Sequence, residues 1–267
     1  MTTLATTPTA EPTRISVHPG ETRVRVGLVT GPLAPRLIDR GTSSATVAIA
    51  AAQMLLLDGD AVLIEIEVGP GCTLDIEDVG GTVAYPGTSS WEVRARVGAG
   101  GRLLWRGLPF VVTADGDSRR RTEIVLGPGA AALIRETLVL GRHGEIGGRI
   151  DAGLTATRTG PLLVERLVAS GAFPGPGVLG THRVIDSVIA LGYRPPTVPG
   201  DLVLEQPGAV ARRLGQHTHA SDLDAVWAAW RATLREDDGP PSNVPSTEPW
   251  TGDRDEPADR ASGRTSP

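Results

Sequence analysis

Apolar and charged residues alternate along the middle of the chain in three blocks. Ile64, Ile66 and Val68 alternate with Glu65 and Glu67, then Val93, Ala95 and Val97 with Arg94 and Arg96. Thr122, Ile124 and Leu126 alternate with Glu123 and Val125 in the third. A period of two is the signature of a half-buried strand. Each block ends on the same kind of corner: Gly69-Pro70-Gly71, Gly98-Ala99-Gly100, Gly127-Pro128-Gly129. The first glycines are 29 residues apart (98 − 69 and 127 − 98). A second apolar run follows each corner, in the first case Leu74 and Ile76 with Asp75 and Glu77 opposite. Glycine supplies backbone angles that a side chain would forbid. The pattern predicts strand, tight turn, strand, three times over. A repeat of this size marks units that bury their apolar faces only by stacking. The expected fold is mainly β: stacked β-hairpin or β-helix-like sheets, with one or two C-terminal α-helices.

The same offset aligns charges. Glu65 maps onto Arg94 and then Glu123, and Glu67 onto Arg96. Units stacked in register would set unlike charges across neighbouring strands, worth roughly 0.2–1 kcal/mol per pair. Their larger value would be in choosing the register, because a one-residue slip turns the core face outward.

The flanks are less regular. Residues 1–18 read as a flexible leader, 19–237 as the folded domain and 238–267, nearly without apolar side chains, as a disordered tail. Residues 21–37 give a strand and a turn at Gly31-Pro32, and the apolar run 45–57 is closed by Asp58-Gly59-Asp60. A looser fourth unit spans a strand at 149–158, a turn at Gly160-Pro161 and a return strand at 162–168. Residues 183–191 fit helix spacing, but their β-branched content favours strand. The segment 208–236 reads as helical: a short helix at 208–214, then one capped by Ser221 with Asp222 and Asp224 in its first turn. Leu223, Val226, Trp227, Trp230 and Leu234 share a face of that second helix.

Composition narrows the function. Hydrophobic residues make up 40% but aromatics only 3%, so the core must be aliphatic, which suits strands. The chain has no lysine, so all 26 basic side chains are arginine and no lysine-bearing phosphate loop exists. Any nucleotide hydrolysis must therefore belong to a partner. A net charge of −5 argues against nucleic acid as a partner. Cys72 is the only cysteine, which excludes an internal disulfide or a cysteine metal cage and reads as a small buried side chain. No run is long enough to span a bilayer, and the first thirteen residues lack a signal-peptide pattern, so the cytoplasm is expected and no membrane partner.

Several segments together resemble the UreD (UreH) family of urease accessory proteins. They are Gly59-Asp60-Ala61 through Val68-Gly69-Pro70-Gly71, Thr82-Val83-Ala84-Tyr85, Arg135-Glu136-Thr137-Leu138-Val139-Leu140-Gly141-Arg142 with Gly144-Glu145, and Pro161 to Arg166. A C-terminal helix bearing tryptophan also fits. The Arg135 to Arg142 block is the most specific. The resemblance runs from about Gly20 to Arg235 and departs at Asp58 and around Val83, as in divergent members from high-GC bacteria. It implies a non-enzyme that binds apo-urease subunits and a UreF-like partner, which recruits a UreG-like GTPase. It also implies nickel in transit rather than a permanently bound cofactor, carried into the buried urease active site, with a passage through the UreD-like subunit as the proposed route.

Nickel(II) favours imidazole, thiolate or carboxylate. Candidates for the passage are Glu136, Glu145, Glu165, His217 and His219. His217-Thr218-His219 could clamp a metal or be two solvated loop side chains. Glu136 and Glu165 each interrupt an apolar strand; a carboxylate there lines a passage or holds a structural ion pair, since buried carboxylates need partners. Arg142 could dock a partner or pair with a nearby acid. Trp227 and Trp230 could pack on their own sheet or enter a partner. Two alternative functions are an adaptor with no nickel role, and a stacked-β carbohydrate-acting enzyme using Asp75 and Glu77 as paired carboxylates. The second lacks the aromatic platforms on which sugars stack.

Overall fold

The computed structural model describes residues 11–173, 175, 177–220 and 223–236. Ser221, Asp222 and the expected tail lie outside the described residues. The chain opens with β1 (Thr13–His18), β2 (Arg25–Val29), β3 (Leu33–Arg40) and β4 (Ser44–Ala51). Three coils follow. The first is β5 (Ala61–Val68), β6 (Thr73–Asp78) and β7 (Thr82–Ala84), and the second β8 (Gly87–Val97), β9 (Arg102–Arg106) and β10 (Phe110–Val112). The third is β11 (Gly116–Leu126) and β12 (Ala131–Leu140). Then come β13 (Arg149–Thr157), β14 (Pro161–Ser170), β15 (Val184–Leu191), β16 (Leu202–Val203), β17 (Gly208–Gly215), a 3-10 turn (Thr218–Ala220) and one helix, α1 (Leu223–Glu236).

Of the two stacked forms expected, the chain takes the β-helix-like one. The strands on either side of each glycine corner belong to different sheets. β5, β8 and β11 are parallel neighbours in a seven-stranded sheet ordered β14-β13-β11-β8-β5-β1-β2. β6, β9 and β12 are parallel neighbours in the second sheet, ordered β16-β17-β15-β12-β9-β6-β4-β3, and β7 and β10 extend it from β12. The corners are thus not hairpin turns. Each strand pairs with its equivalent one coil later, so the apolar faces of both sheets meet in a shared interior.

The corners explain their own sequence. Gly98 N–H donates to Val68 O and Gly127 N–H to Val97 O, both at 2.7 Å, so each corner sits tightly on the one before. A Cβ at Gly98 would lie 2.9 Å from Pro70 N, and one at Gly127 2.8 Å from Ala99 N. The second glycine of each corner has positive φ: 64° at Gly71, 63° at Gly100 and 66° at Gly129. One glycine is needed for close approach and the other for backbone angle.

The expected register holds. Glu65 is paired with Arg94, Glu67 with Arg96, and Arg94 with Glu123. The alternating apolar residues of all three blocks face the interior, with Ile64, Ile66, Val93 and Ile124 each at most 3% exposed. Cys72 is buried, as expected, beside Gly101 and Ala130 at the equivalent corners.

Two expectations at the flanks change. Thr13–His18, assigned to the leader, is strand β1: it pairs in parallel with β5, buries Ile15 and Val17, and covers an edge that would otherwise be open. Residues 208–214, expected as a helix, lie in strand β17, antiparallel to β15. Ala209, Val210 and Ala211 are small enough to be buried on both faces, against the core below and α1 above, and that packing overrides alanine's helix propensity. The strand favoured over helix for 183–191 is present as β15 (Val184–Leu191), buried at every position.

Trp227 and Trp230, considered for partner contact, belong to the chain's own core. They lie with Leu223 and Leu234 against Leu133, Val188 and Tyr193 on the outer face of the second sheet, 4% and 1% exposed. Trp230 Nε1–H donates to Pro196 O at 2.7 Å, and Tyr193 O–H donates to Trp230 O at 3.1 Å. Ion pairs pin the first turn and the middle of the helix: Asp224 meets Arg106 at 2.7 Å and also Arg135, while Arg231 meets Asp75. Among the described residues no helix is long and apolar enough to cross a membrane.

Candidate functional site

The interior is apolar along most of the stack and charged along one row. Parallel stacking carries each position onto the one 29 residues later. In the second sheet, that offset takes Asp78 to Gly107 and then to Glu136. Glu136 is paired across β15 with Ser187, and Ser187 across β17 with Arg212. The row therefore reads Asp78, Gly107, Glu136, Ser187, Arg212. Facing it, the first sheet carries Val62, Trp91 and Arg120 at equivalent positions of three successive coils. Arg120 takes an interior place that an apolar side chain holds in the earlier coils.

These side chains are knit together. Arg120 Nε–H donates to Glu136 Oε1 at 2.6 Å, with 14% and 19% of the two side chains exposed. The Arg120 guanidinium also lies over Trp91 and Phe110, 5.5 and 5.1 Å from the ring centroids. Arg212, beside Glu136, donates to Ser187 Oγ and to Glu165 Oε2, both at 2.9 Å. Glu165 lies on β14 of the first sheet, so this pair ties the two sheets together at the C-terminal end of the stack.

Like Arg120 and Arg212, Asp78 is a member that sequence reading missed. Its carboxylate accepts from Trp105 Nε1–H and from Leu108 N–H, each at 2.8 Å. Burial pushes its pKa up, opposed by those two hydrogen bonds and by the charge of Arg120. The missing signal was in the offset, since 78 and 136 differ by twice the repeat.

Three spaces follow one another along this row. A cleft of about 320 Å³, open to the surface by Met54 and Val79, reaches Asp78 and Trp91. A cavity of about 30 Å³ shares those two residues and extends to Arg120 and Glu136. A third, of about 20 Å³, shares Glu136 and reaches Glu165 and Arg212. The two inner spaces are each about the size of one water molecule. Trp91 Nε1, between the first two, is buried without a hydrogen-bond partner.

Of the residues proposed for a passage, the structure brings Glu136 and Glu165 together and puts the others elsewhere. Glu145 lies in the surface loop after β12, where Arg142 donates to it from its backbone N–H at 2.8 Å and from its guanidinium at 3.1 Å. Those hydrogen bonds, opposed by partial burial, lower the Glu145 pKa to about 2. His217 and His219 stack at 5.2 Å between centroids beside the same loop. Among the described residues no group of three or more His, Cys, Asp or Glu is placed to hold a metal ion. Asp75 and Glu77 do not face each other across a cleft: Asp75 is taken up by Arg231 under α1, and Glu77 is exposed.

The sequence matches the UreD urease accessory protein family over residues 14–245. The chain belongs to that family. It is 41% identical over 209 residues to urease accessory protein UreD 1 of Streptomyces griseus, covering 74% of this chain and 82% of that protein. It is 35% identical over 171 residues to UreD 3 of the same organism, covering 60% and 66%. It is 30% identical over 224 residues to UreD 2 of Saccharopolyspora erythraea, covering 79% of each. The UreD match spans all three glycine-cornered coils and the whole charged row, and it includes α1.

Proposed function

We propose that this UreD-family chain is a non-catalytic scaffold in urease maturation. In the cytoplasm, with UreF-like and UreG-like partners, it delivers nickel into apo-urease, and the interior charged row is the part of it that nickel meets. The observation that carries this reading is the sequence of spaces from the Asp78 cleft past Glu136 to Glu165, lined by carboxylates inside an aliphatic core. Water-sized gaps with carboxylate and hydroxyl oxygens give a divalent ion successive, weakly holding steps. Arg120 and Arg212 occupy Glu136 and Glu165, so a cation can use those two only where the guanidiniums swing away.

The arginine pairing also supports a second reading, an adaptor whose buried pairs are purely structural. Co-expression with the urease subunits and the other accessory proteins separates the two. On the delivery reading, Glu136→Gln, checked to be folded, leaves urease protein at normal levels with little nickel and little activity. On the adaptor reading the same variant matures urease fully. Full activation after deleting the chain altogether would rule out both.

A further inference from the structure

Apart from the charged row, the described surface carries a further cleft. It lies beside the loop after β12 and is bounded by the start of β15 and the segment after β17. This cleft of about 330 Å³ has an apolar floor that includes Val111 and Val184. Its rim carries Arg142, His143, Arg183, His217 and His219, and among the described residues no acidic one lines it. The chain as a whole has a net charge of −5, so a cleft whose described lining is cationic and neutral runs against the average surface. Arg142 pairs with Glu145, yet 61% of its side chain stays exposed. Arg183 donates to Gly141 O, and its Nε is buried without a partner. The three histidines are exposed.

We propose that this cleft docks a short acidic segment of a partner protein, its carboxylates against the arginine and histidine rim and an apolar side chain over Val111. Charge complementarity selects such a partner: a neutral segment would gain only the floor, whereas a basic one would be repelled. The inference concerns a different surface from the charged row and stands whether or not nickel passes through the chain.

The test uses the full chain and a fluorescently labelled, end-capped hexapeptide of four glutamates and two leucines, with a control in which glutamine replaces glutamate. By fluorescence anisotropy the acidic peptide should bind about tenfold more tightly than the control. The difference should shrink severalfold between ~50 and ~300 mM salt, as expected for exposed charges. The triple variant His143→Glu, His217→Glu, His219→Glu should lose that preference with its thermal midpoint unchanged, because all three side chains are exposed. Equal binding of both peptides, or an unaltered preference in the folded triple variant, overturns the proposal. So does displacement of the peptide by stoichiometric nickel or inorganic phosphate, which would make this a small-ion site.

Discussion

The two ends of the interior are built on one plan and filled differently. Toward the N-terminus, β1, β4, β5 and β6 bring together Ile15, Val47, Ile64, Leu74 and Ile76, none more than 1% exposed. Toward the C-terminus the interior holds Arg120, at the position of Val62 two coils earlier, and Glu136, at that of Asp78, joined by Glu165 and Arg212. Aliphatic packing alone suffices to hold such a stack, as the first end demonstrates. Charges at the second end carry a desolvation cost that apolar residues of similar size would avoid. That contrast makes the charged end the place to look for function, and it can be broken experimentally.

The largest effect should come from the aliphatic end. Leu74→Ala removes a fully buried side chain from between the two sheets and should cost ~2–5 kcal/mol in urea denaturation. If it cost under about 1 kcal/mol, the interior would be loosely packed and the contrast would lose its basis.

At the charged end the stability effect should be smaller and the functional effect larger. Glu136→Leu alone strands Arg120 beside an apolar group; with both side chains partly exposed, about 2 kcal/mol is expected, below the ~3–5 kcal/mol of a fully buried pair. Replacing both, Arg120→Met with Glu136→Leu, should recover most of that loss while leaving urease unactivated in co-expression. A stable double variant that still supports full activation would assign the pair to packing alone.

How much of this was visible in the residues follows the same division. The coils were legible because period-two alternation, glycine corners and a fixed offset all report one geometry, so the 65–94–123 register could be stated in advance. The corners were misread in one respect: a Gly-x-Gly sequence does not say whether the next strand folds back or starts another sheet. At 208–214 the alanines pointed to helix because local propensity cannot see a helix packed above and a core below. Glu136 and Glu165 stood out by interrupting apolar runs. Asp78 did not, since it ends a strand whose earlier acids, Asp75 and Glu77, face outward. The pairing of Glu165 with Arg212 joins residues far apart in sequence and on different sheets, and no local pattern encodes it.

Acid sensitivity should be moderate and should lie at the C-terminal end. Asp151, 6% exposed on β13, accepts from Arg166 at 3.0 and 2.9 Å and from Arg121 at 3.0 Å. The Arg166 hydrogen bonds first, then those from Arg121, hold its pKa at about 2 against the opposing effect of burial. The unfolded value is about 3.9. A depressed carboxylate contributes its stability above the unfolded value and loses it as pH falls through the folded one, so the loss should run between about pH 4 and pH 2. Asp151→Asn should flatten that limb of the pH–stability curve.

The smallest effect should be on the outer face of the aliphatic end, where Arg14 pairs with Glu65 at 2.8 Å and Arg94 with Glu92 at 2.6 Å. These side chains are between 37% and 51% exposed, and exposed pairs contribute roughly 0.2–1 kcal/mol. Arg94→Ala should therefore change the urea midpoint little, by about 0.5 kcal/mol or less in stability. Charge reversal asks a sharper question, because Arg94 sits between Glu65 and Glu123 in the ladder. Arg94→Glu would place three acids in one row across adjacent strands, where like charges repel. If the row helps to select register, that variant should refold more slowly and populate misregistered species, detectable as a second kinetic phase absent from Arg94→Ala. If the two variants refold alike, the alternating charges are only a solvated surface, and the glycine corners with the apolar alternation set the register by themselves.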